Sequence, residues 1–348
     1  MSITIRQIAK IANVSRGTVD RALNHRPGIK PEIAEQIRQL ASDLGYKPNL
    51  AAKLLSDHQY GGCKIGIILV TENNPFYDDI LQGAKACLAE QADFGIESVI
   101  TILEDYDDGA KQVAAMEDMA QRGVGGLVMT PICSEKVAEK INELTARGIA
   151  TVTINSDLPE TKRISYVGCC HEKSGEVLAG ILNFLSGGRP LQVGAIAGPE
   201  HNIAVMQRKD GFLKMVSRDY PNIHIAAVFQ NESNEKSSYR ITEKLLANCP
   251  VLDVLCVLGA GVIGSIQAVR DSGRAGTLKV ITYDLIQAVQ QGMLDGVVDA
   301  TITQEPFQQG FRGVKTIISY LAYKQPPKRE YDYTRLAILT KQCLNQDE

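Results

Sequence analysis

The chain has 348 residues, 44% of them hydrophobic and 22% charged, with a formal net charge of −3. That is ordinary soluble globular material, long enough for about two to three domains and a sizeable core. No apolar run is long enough to span a membrane and the opening Met-Ser-Ile-Thr-Ile-Arg is no signal peptide, so a cytoplasmic protein is expected. The charge is uneven: residues 1–60 hold 9 Lys and Arg against 5 Asp and Glu, whereas the remainder holds 28 against 35. A basic head on an acidic body suits a protein that presents one end to phosphates. The eight cysteines are scattered without CxxC spacing. Cys169-Cys170-His171 raises a metal or redox site, but reduced, mostly buried thiols fit better, and neither metal nor cofactor is expected.

In chain order, residues 4–24 (TIRQIAKIANVSRGTVDRALN) predict a helix-turn-helix. Thr4 can cap a first helix carrying Ile5, Ile8, Ala9 and Ala12 at helical spacing. Asn13 tolerates the left-handed backbone of a tight turn, and Val14 plugs the corner. Ser15 caps a second helix with Val19 and Leu23 facing inward, which leaves Arg16, Gly17, Asp20, Arg21 and Asn24 outward. Arg and Asn suit guanine and adenine edges in the major groove. The alternative is an ordinary amphipathic helix pair at a domain edge. After the loop His25-Arg26-Pro27-Gly28, Pro31 opens a third helix with the stripe Ile33, Ile37, Leu40, Ala41 and Leu44, ended by Gly45.

With LGYKPNLAAKLL following, these 55 residues closely resemble the DNA-binding head of the LacI/GalR family of bacterial repressors, without gaps. The resemblance implies that the second helix lies in the major groove. Thr4, Ser15, Arg16, Gly17, Thr18, Arg21 and Asn24 are then the head's DNA-facing positions. It also implies that 49–56 is a hinge helix folding on operator DNA, with Leu55 wedged into the minor groove and Lys53 beside it. Two departures touch operator choice: Asp20 stands where the family usually has Ser, and Gly17 lacks a side chain that often reads a base.

From Cys63 onward, β-rich runs alternate with amphipathic helices. Strands are predicted at 64–70, 96–102, 126–129, 149–154, 192–197, 223–229, 253–258 and 279–283, with helices at 76–91, 109–121, 134–147, 172–185 and 235–247. Apolar strands separated by helices imply parallel sheets covered on both faces. The pattern divides near Val167, and in such sheets ligands bind beyond the carboxyl ends of strands. The expected architecture is therefore an all-α helix-turn-helix head (1–48), a hinge helix and linker (49–60), and an α/β two-lobed core (61–348) with parallel sheets. Its lobes are expected at about 63–166 plus 288–322 and 167–287 plus 323–342.

This body is similar, more loosely, to the sugar-binding core shared by these repressors and the periplasmic sugar-binding proteins. Asn73-Asn74-Pro75-Phe76-Tyr77 after the first strand carries the clearest match. There the resemblance implies that Asn bonds sugar hydroxyls and the aromatics sandwich the ring; the alternative is a helix cap at Asn74 with Phe76 in the core. It further implies cleft roles for Asn155, with Asp157 following, and for Arg208, Asp284 and Gln304. Gly259-Ala260-Gly261-Val262-Ile263-Gly264 replaces the family's Asn-Asp loop. It also satisfies GxGxxG, with Asp284 about 20 residues on, so a dinucleotide site is weighed against an opened sugar cleft. The reading that follows is a homodimeric, non-enzymatic regulator, most simply a repressor. It binds operator DNA through its head and a small carbohydrate or sugar-phosphate effector in its core. The alternatives are a sugar-binding protein without regulatory role and an NAD-dependent dehydrogenase.

Overall fold

A computed structural model describes residues 5–23, 27–44, 64–71, 74–92, 95–104, 109–200 and 202–344. The chain divides into two compact units, Met1–Gln59 and Tyr60–Glu348. Among its described residues the first holds three helices, α1 (Ile5–Ile11), α2 (Arg16–Leu23) and α3 (Pro31–Asp43). Ile8 and Ala9, Val19 and Ala22, and Ala34, Ile37 and Ala41 meet in one small core. Asn13 takes the left-handed conformation the turn requires, at φ 52°. Ser15 Oγ accepts the Thr18 amide at 3.1 Å, capping α2. At the other end of α2, Arg38 of α3 donates to the Ala22 carbonyl at 3.2 Å, which satisfies an orphan acceptor of the last turn.

In the second unit one sheet runs in the order β11 (Tyr331–Tyr333), β5 (Ser165–Gly168), β4 (Ala150–Ile154), β3 (Gly126–Met129), β1 (Lys64–Val70), β2 (Glu97–Leu103). Every neighbouring pair is parallel. The other sheet runs β12 (Ala337–Thr340), β10 (Ala300–Thr303), β9 (Lys279–Tyr283), β8 (Val254–Val257), β6 (Leu191–Ala197), β7 (Ile223–Gln230), with β12 alone antiparallel to its neighbour. α4 (Phe76–Glu90), α5 (Ala110–Gln121) and α6 (Glu135–Ala146) belong with the first sheet. α7 (His171–Ser186), α8 (Ile203–Asp219), α9 (Glu235–Asn248), α10 (Val262–Asp271) and α11 (Gln287–Leu294) belong with the second. The second sheet is dry on both faces. Leu178, Leu182 and Phe212 cover one side, and Leu245, Ile266, Val269 and Val289 the other. That burial explains strands that read as unbroken apolar runs.

Strand pairing redraws the expected lobe boundaries. β10 pairs with β9, so 288–303 belongs to the second lobe, and only α12 (Pro306–Tyr323) returns to pack on α4 and the first sheet. β11 pairs with β5, so Tyr331–Tyr333 stays in the first lobe, and the chain re-enters the second only at β12. It therefore crosses between lobes three times, at 168–171, 303–306 and 333–337. These crossings are short and lie side by side, which is the architecture of a hinge. No helix among the described residues is long and apolar enough to cross a membrane.

Candidate ligand-binding site

A cavity lies between the lobes, at the carboxyl ends of both sets of strands. Asn74, Phe76, Tyr77 and Asn155 line it from the first lobe, and Arg208, Gly259, Tyr283 and Asp284 from the second, with Gln304 at a crossing. About 80 Å³ is open to the centres of water-sized molecules. At roughly 10–15 Å³ per water position this is room for about five to eight waters. That is the scale of one small ring.

Two strands end in a left-handed residue that is not glycine, Asn155 (φ 61°) after β4 and Asp284 (φ 64°) after β9; Glu305 (φ 54°), two residues beyond β10, takes the same conformation at the start of α12. Asn and Asp tolerate this region better than other L-residues, because their short polar side chains bond locally. Both keep a backbone bond to the neighbouring strand as they turn: Asn155 N–H to Val167 at 3.1 Å, Asp284 N–H to Ile302 at 2.9 Å. The two turns bring these side chains to the cavity wall.

Arg208 is almost wholly buried, at 3% exposure. Nε donates to Ser174 Oγ at 3.2 Å and Nη1 to the Leu258 carbonyl at 2.5 Å, while its guanidinium lies 3.8 Å over the Tyr283 ring. Tyr283 Oη in turn donates to the Ser174 carbonyl at 2.9 Å. Glycines make this geometry possible. A Cβ at Gly175 of α7 would stand 2.0 Å from the Arg208 carbonyl, and one at Gly211 of α8 would stand 2.1 Å from that of Glu172. The helices cross backbone to backbone, which sets Arg208 at the depth of Tyr283. Asp284 completes the floor: Gln304 Nε2 donates to Oδ1 at 3.0 Å. Burial raises the Asp284 pKa, while the charge of Arg208 and then the Gln304 bond pull it back.

From the first lobe, Asn74 Oδ1 accepts the Phe76 amide at 3.1 Å, so Asn74 is both a turn-former and a cavity residue. Phe76 and Tyr77 meet edge to face, 5.3 Å between centroids. Tyr77 Oη donates to Asn155 Oδ1 at 3.5 Å, and Asn155 Nδ2 to Gln309 Oε1 at 3.4 Å. The Asn155 carbonyl accepts twice, from Tyr166 Oη at 2.8 Å and from His171 Nε2 at 2.6 Å. Burial, then repulsion from Arg208, lowers the His171 pKa to about 3. The ring is therefore neutral at ordinary pH, with its proton on the nitrogen that meets the carbonyl. Cys169 Sγ donates to Gln304 Oε1 at 3.1 Å, and burial pushes its pKa up to about 12, so it stays a thiol. The described cysteines are unbridged, and no three His, Cys, Asp or Glu side chains among the described residues cluster to hold a metal.

The glycine loop has a packing explanation. Gly261 is left-handed (φ 83°) and holds the turn into α10. A Cβ at Gly264 would stand 2.0 Å from the Glu235 carbonyl, so Gly264 is where α10 touches α9. Glu235 Oε2 also accepts the Gly264 amide at 2.6 Å. A carboxylate thus occupies the helix N-terminus where a pyrophosphate would have to sit, and the dinucleotide reading fails on charge.

Asp157 is displaced from the place expected for it. Arg163 holds both its oxygens, at 2.5 and 2.6 Å, and Thr153 Oγ1 donates to it at 2.6 Å, away from the inner cavity. Its spacing from Asn155 is that of a strand, but the left-handed turn at Asn155 carries the next residues out of line. Ser174, Tyr283, His171 and Glu235 are not among the sugar-site residues expected from the sequence, although Tyr283 adjoins Asp284 and His171 belongs to the Cys169-Cys170-His171 run. In the head, Arg16, Gly17 and Arg21 are exposed on α2, while Ser15 and Thr18 bond each other at 2.8 Å. Thr4, Asn24, Lys53, Leu55 and Asn73 lie outside the described residues.

Helical head and hinged two-lobed core together define a DNA-binding regulator with a ligand-binding body. Residues 65–325 match the periplasmic binding protein domain family and residues 4–49 the bacterial regulatory proteins of the lacI family. The chain belongs to the periplasmic binding protein domain family and carries a lacI-type head. It is 29% identical over 280 residues to a D-ribose/D-allose-binding protein of Pseudomonas aeruginosa, covering 77% of this chain and 85% of that one. It is 27% identical over 276 residues to a probable HTH-type transcriptional repressor, ExuR, of Bacillus subtilis, covering 78% of each. An ABC transporter solute-binding protein from Burkholderia graminis, solved with D-arabinose, shares the core fold. Its TM-score is 0.73 at 21% identity, over 81% of this chain and 98% of that one.

Proposed function

We propose that the chain is a homodimeric, cytoplasmic transcription regulator, acting as a repressor, whose operator affinity is set by a small neutral sugar in the inner cavity. Arg208 facing Asp284 carries the reading. Arg208 is the cavity's only lining cation among the described residues; the buried Asp284 feels its charge, and Glu235, which holds the Gly264 amide, adds a second carboxyl to the lining. A sugar phosphate would add up to two more negative charges to a site already short of positive ones. A neutral polyol instead offers hydroxyls to the free guanidinium edge, Asp284 and Asn74, and a C–H face to Phe76 and Tyr77. Because ligand contacts come from both lobes, binding favours closure, and closure is coupled through the 49–60 segment to the heads. Each head takes half of a pseudo-palindromic operator through Arg16, Arg21 and Asn24, with Leu55 as the minor-groove wedge.

The test has two arms. A thermal-shift panel of neutral sugars, sugar phosphates and sugar acids finds the ligand class, since a ligand of the folded state raises its melting point. Gel shifts on the DNA upstream of the protein's own gene, with and without the best hit, then read the coupling. A neutral sugar that shifts Tm and changes DNA affinity is the expected result. Selective stabilisation by phosphates would overturn the charge argument.

A further inference from the structure

A second chamber adjoins the inner cavity. It shares His171 and Ala204 with it and has about 430 Å³ open to the centres of water-sized molecules, against about 80 Å³ inside. Asp157 walls it from the first lobe, and Gln207 and Asp210 of α8 from the second. Its floor is aromatic. Tyr331 and Tyr333 stand two apart on β11 and so share a face; their rings stack at 5.8 Å and 23°. Asp157 clamps Arg163, whose guanidinium lies 4.9 Å over the Tyr331 ring. Tyr333 is 51% exposed, so one face of its ring is open to the chamber.

We propose that this chamber is a second saccharide subsite, so that the natural effector has two rings: one in the inner cavity and a second on the outer face of Tyr333, which Tyr331 and Arg163 back from behind. The chemistry selects that class. The open Tyr333 face accepts the C–H face of a sugar ring, while the Asp210 carboxylate and the Gln207 amide bond its hydroxyls. No Lys or Arg among the described residues lines the chamber, and Arg163 over Tyr331 is already neutralised by Asp157, which disfavours a nucleotide or other phosphate. The second ring, like the first, touches both lobes, so it adds to closure. This inference rests on the sugar reading of the inner cavity.

The experiment is calorimetric titration of the full-length protein with D-ribose, D-xylose, L-arabinose, D-glucose and D-galactose. Xylobiose, maltose, cellobiose, lactose and melibiose follow, on wild type, Tyr333→Ala and Gln207→Ala. Tyr333 and Gln207 are exposed side chains, so the variants should fold; melting curves check it. A disaccharide should bind at least tenfold tighter than its constituent monosaccharide. Tyr333→Ala should remove most of that gain while changing monosaccharide affinity less than twofold. Disaccharides that bind no tighter than monosaccharides overturn the second subsite and leave the inner cavity standing. So does a Tyr333→Ala effect that is equal on both ligands, or absent. If no sugar binds, both readings fall together.

Discussion

Replacing Arg208 by Met tests the site's electrostatics without a ligand. The substitution keeps an unbranched side chain of similar length but deletes the bonds to Ser174 and Leu258 and the charge over Tyr283. Removing one member of a buried charged constellation costs about 3–5 kcal/mol. At about 2 °C per kcal/mol for a unit of this size, Tm should fall by about 6–10 °C at neutral pH. The pH dependence is sharper evidence than the drop. Burial raises the pKa of Asp284 and Arg208 partly offsets it; without Arg208 it rises further. A carboxyl whose folded pKa lies above its unfolded value takes up a proton on folding within that interval, so stability falls as pH rises through it. His171 acts in the same direction, because Arg208 contributes to its lowered pKa and its loss lets the folded state protonate sooner. The Tm deficit of Arg208→Met should therefore shrink between pH 8 and pH 5. In an Asp284→Asn background most of that pH dependence should vanish, a double-mutant cycle that isolates the pair. A deficit that is flat with pH, or that grows in acid, refutes the coupling of Arg208 to Asp284.

Three further outcomes follow from the same geometry. Arg21→Ala should cost about 1–3 kcal/mol on the specific operator and little on random DNA in filter binding or gel shift; equal losses on both would remove Arg21 from base readout. Gly264→Ala puts a Cβ 2.0 Å from the Glu235 carbonyl, and this overpacking should cost about 1–3 kcal/mol in denaturant titration; a neutral result would mean α9 and α10 do not touch there. His171→Gln removes a base whose folded pKa is about 3. In wild type the unfolded chain takes that proton between about pH 6.5 and 3 and the native state refuses it, so stability is lost as pH falls, by up to about 1.4 kcal/mol per pH unit. The variant's stability should vary less between pH 7 and 5, and an unchanged slope would place the titration elsewhere.

Much of this was legible in the chain. Lys64–Val70, Gly126–Met129 and Lys279–Tyr283 were delimited to the residue, because continuous apolar runs bounded by polar residues have no other use in a two-face-covered sheet. Asn13 was legible too, since few residues but Asn sit comfortably at φ 52°. Asn74, Tyr77, Asn155, Arg208, Asp284 and Gln304, distant in sequence, all line one cavity. What failed were features set by long-range pairing. β5 and β11 are too short to show a period, so nothing local reveals that Tyr331 aligns with Tyr166, and the lobe crossings were misplaced accordingly. GxGxxG misled for a related reason: the pattern records that backbone must come close to something, and only the fold tells that the something is Glu235 of α9 rather than a phosphate.

The left-handed residues tie these observations together. Asn155 and Asp284 occupy equivalent places in the two lobes, each ending a strand and each keeping one backbone bond to the next strand as it turns. Asn155 is bonded by Tyr166, by His171 at the start of the second lobe, and by Gln309 on the helix that returns to the first. Asp284 is bonded by Gln304, which also receives Cys169 from the first crossing. Two of the three crossings are thus wired to the two residues that face the cavity. If the proposed ligand draws Asn155 and Asp284 toward each other, these bonds are the ones that would carry the movement to the two crossings.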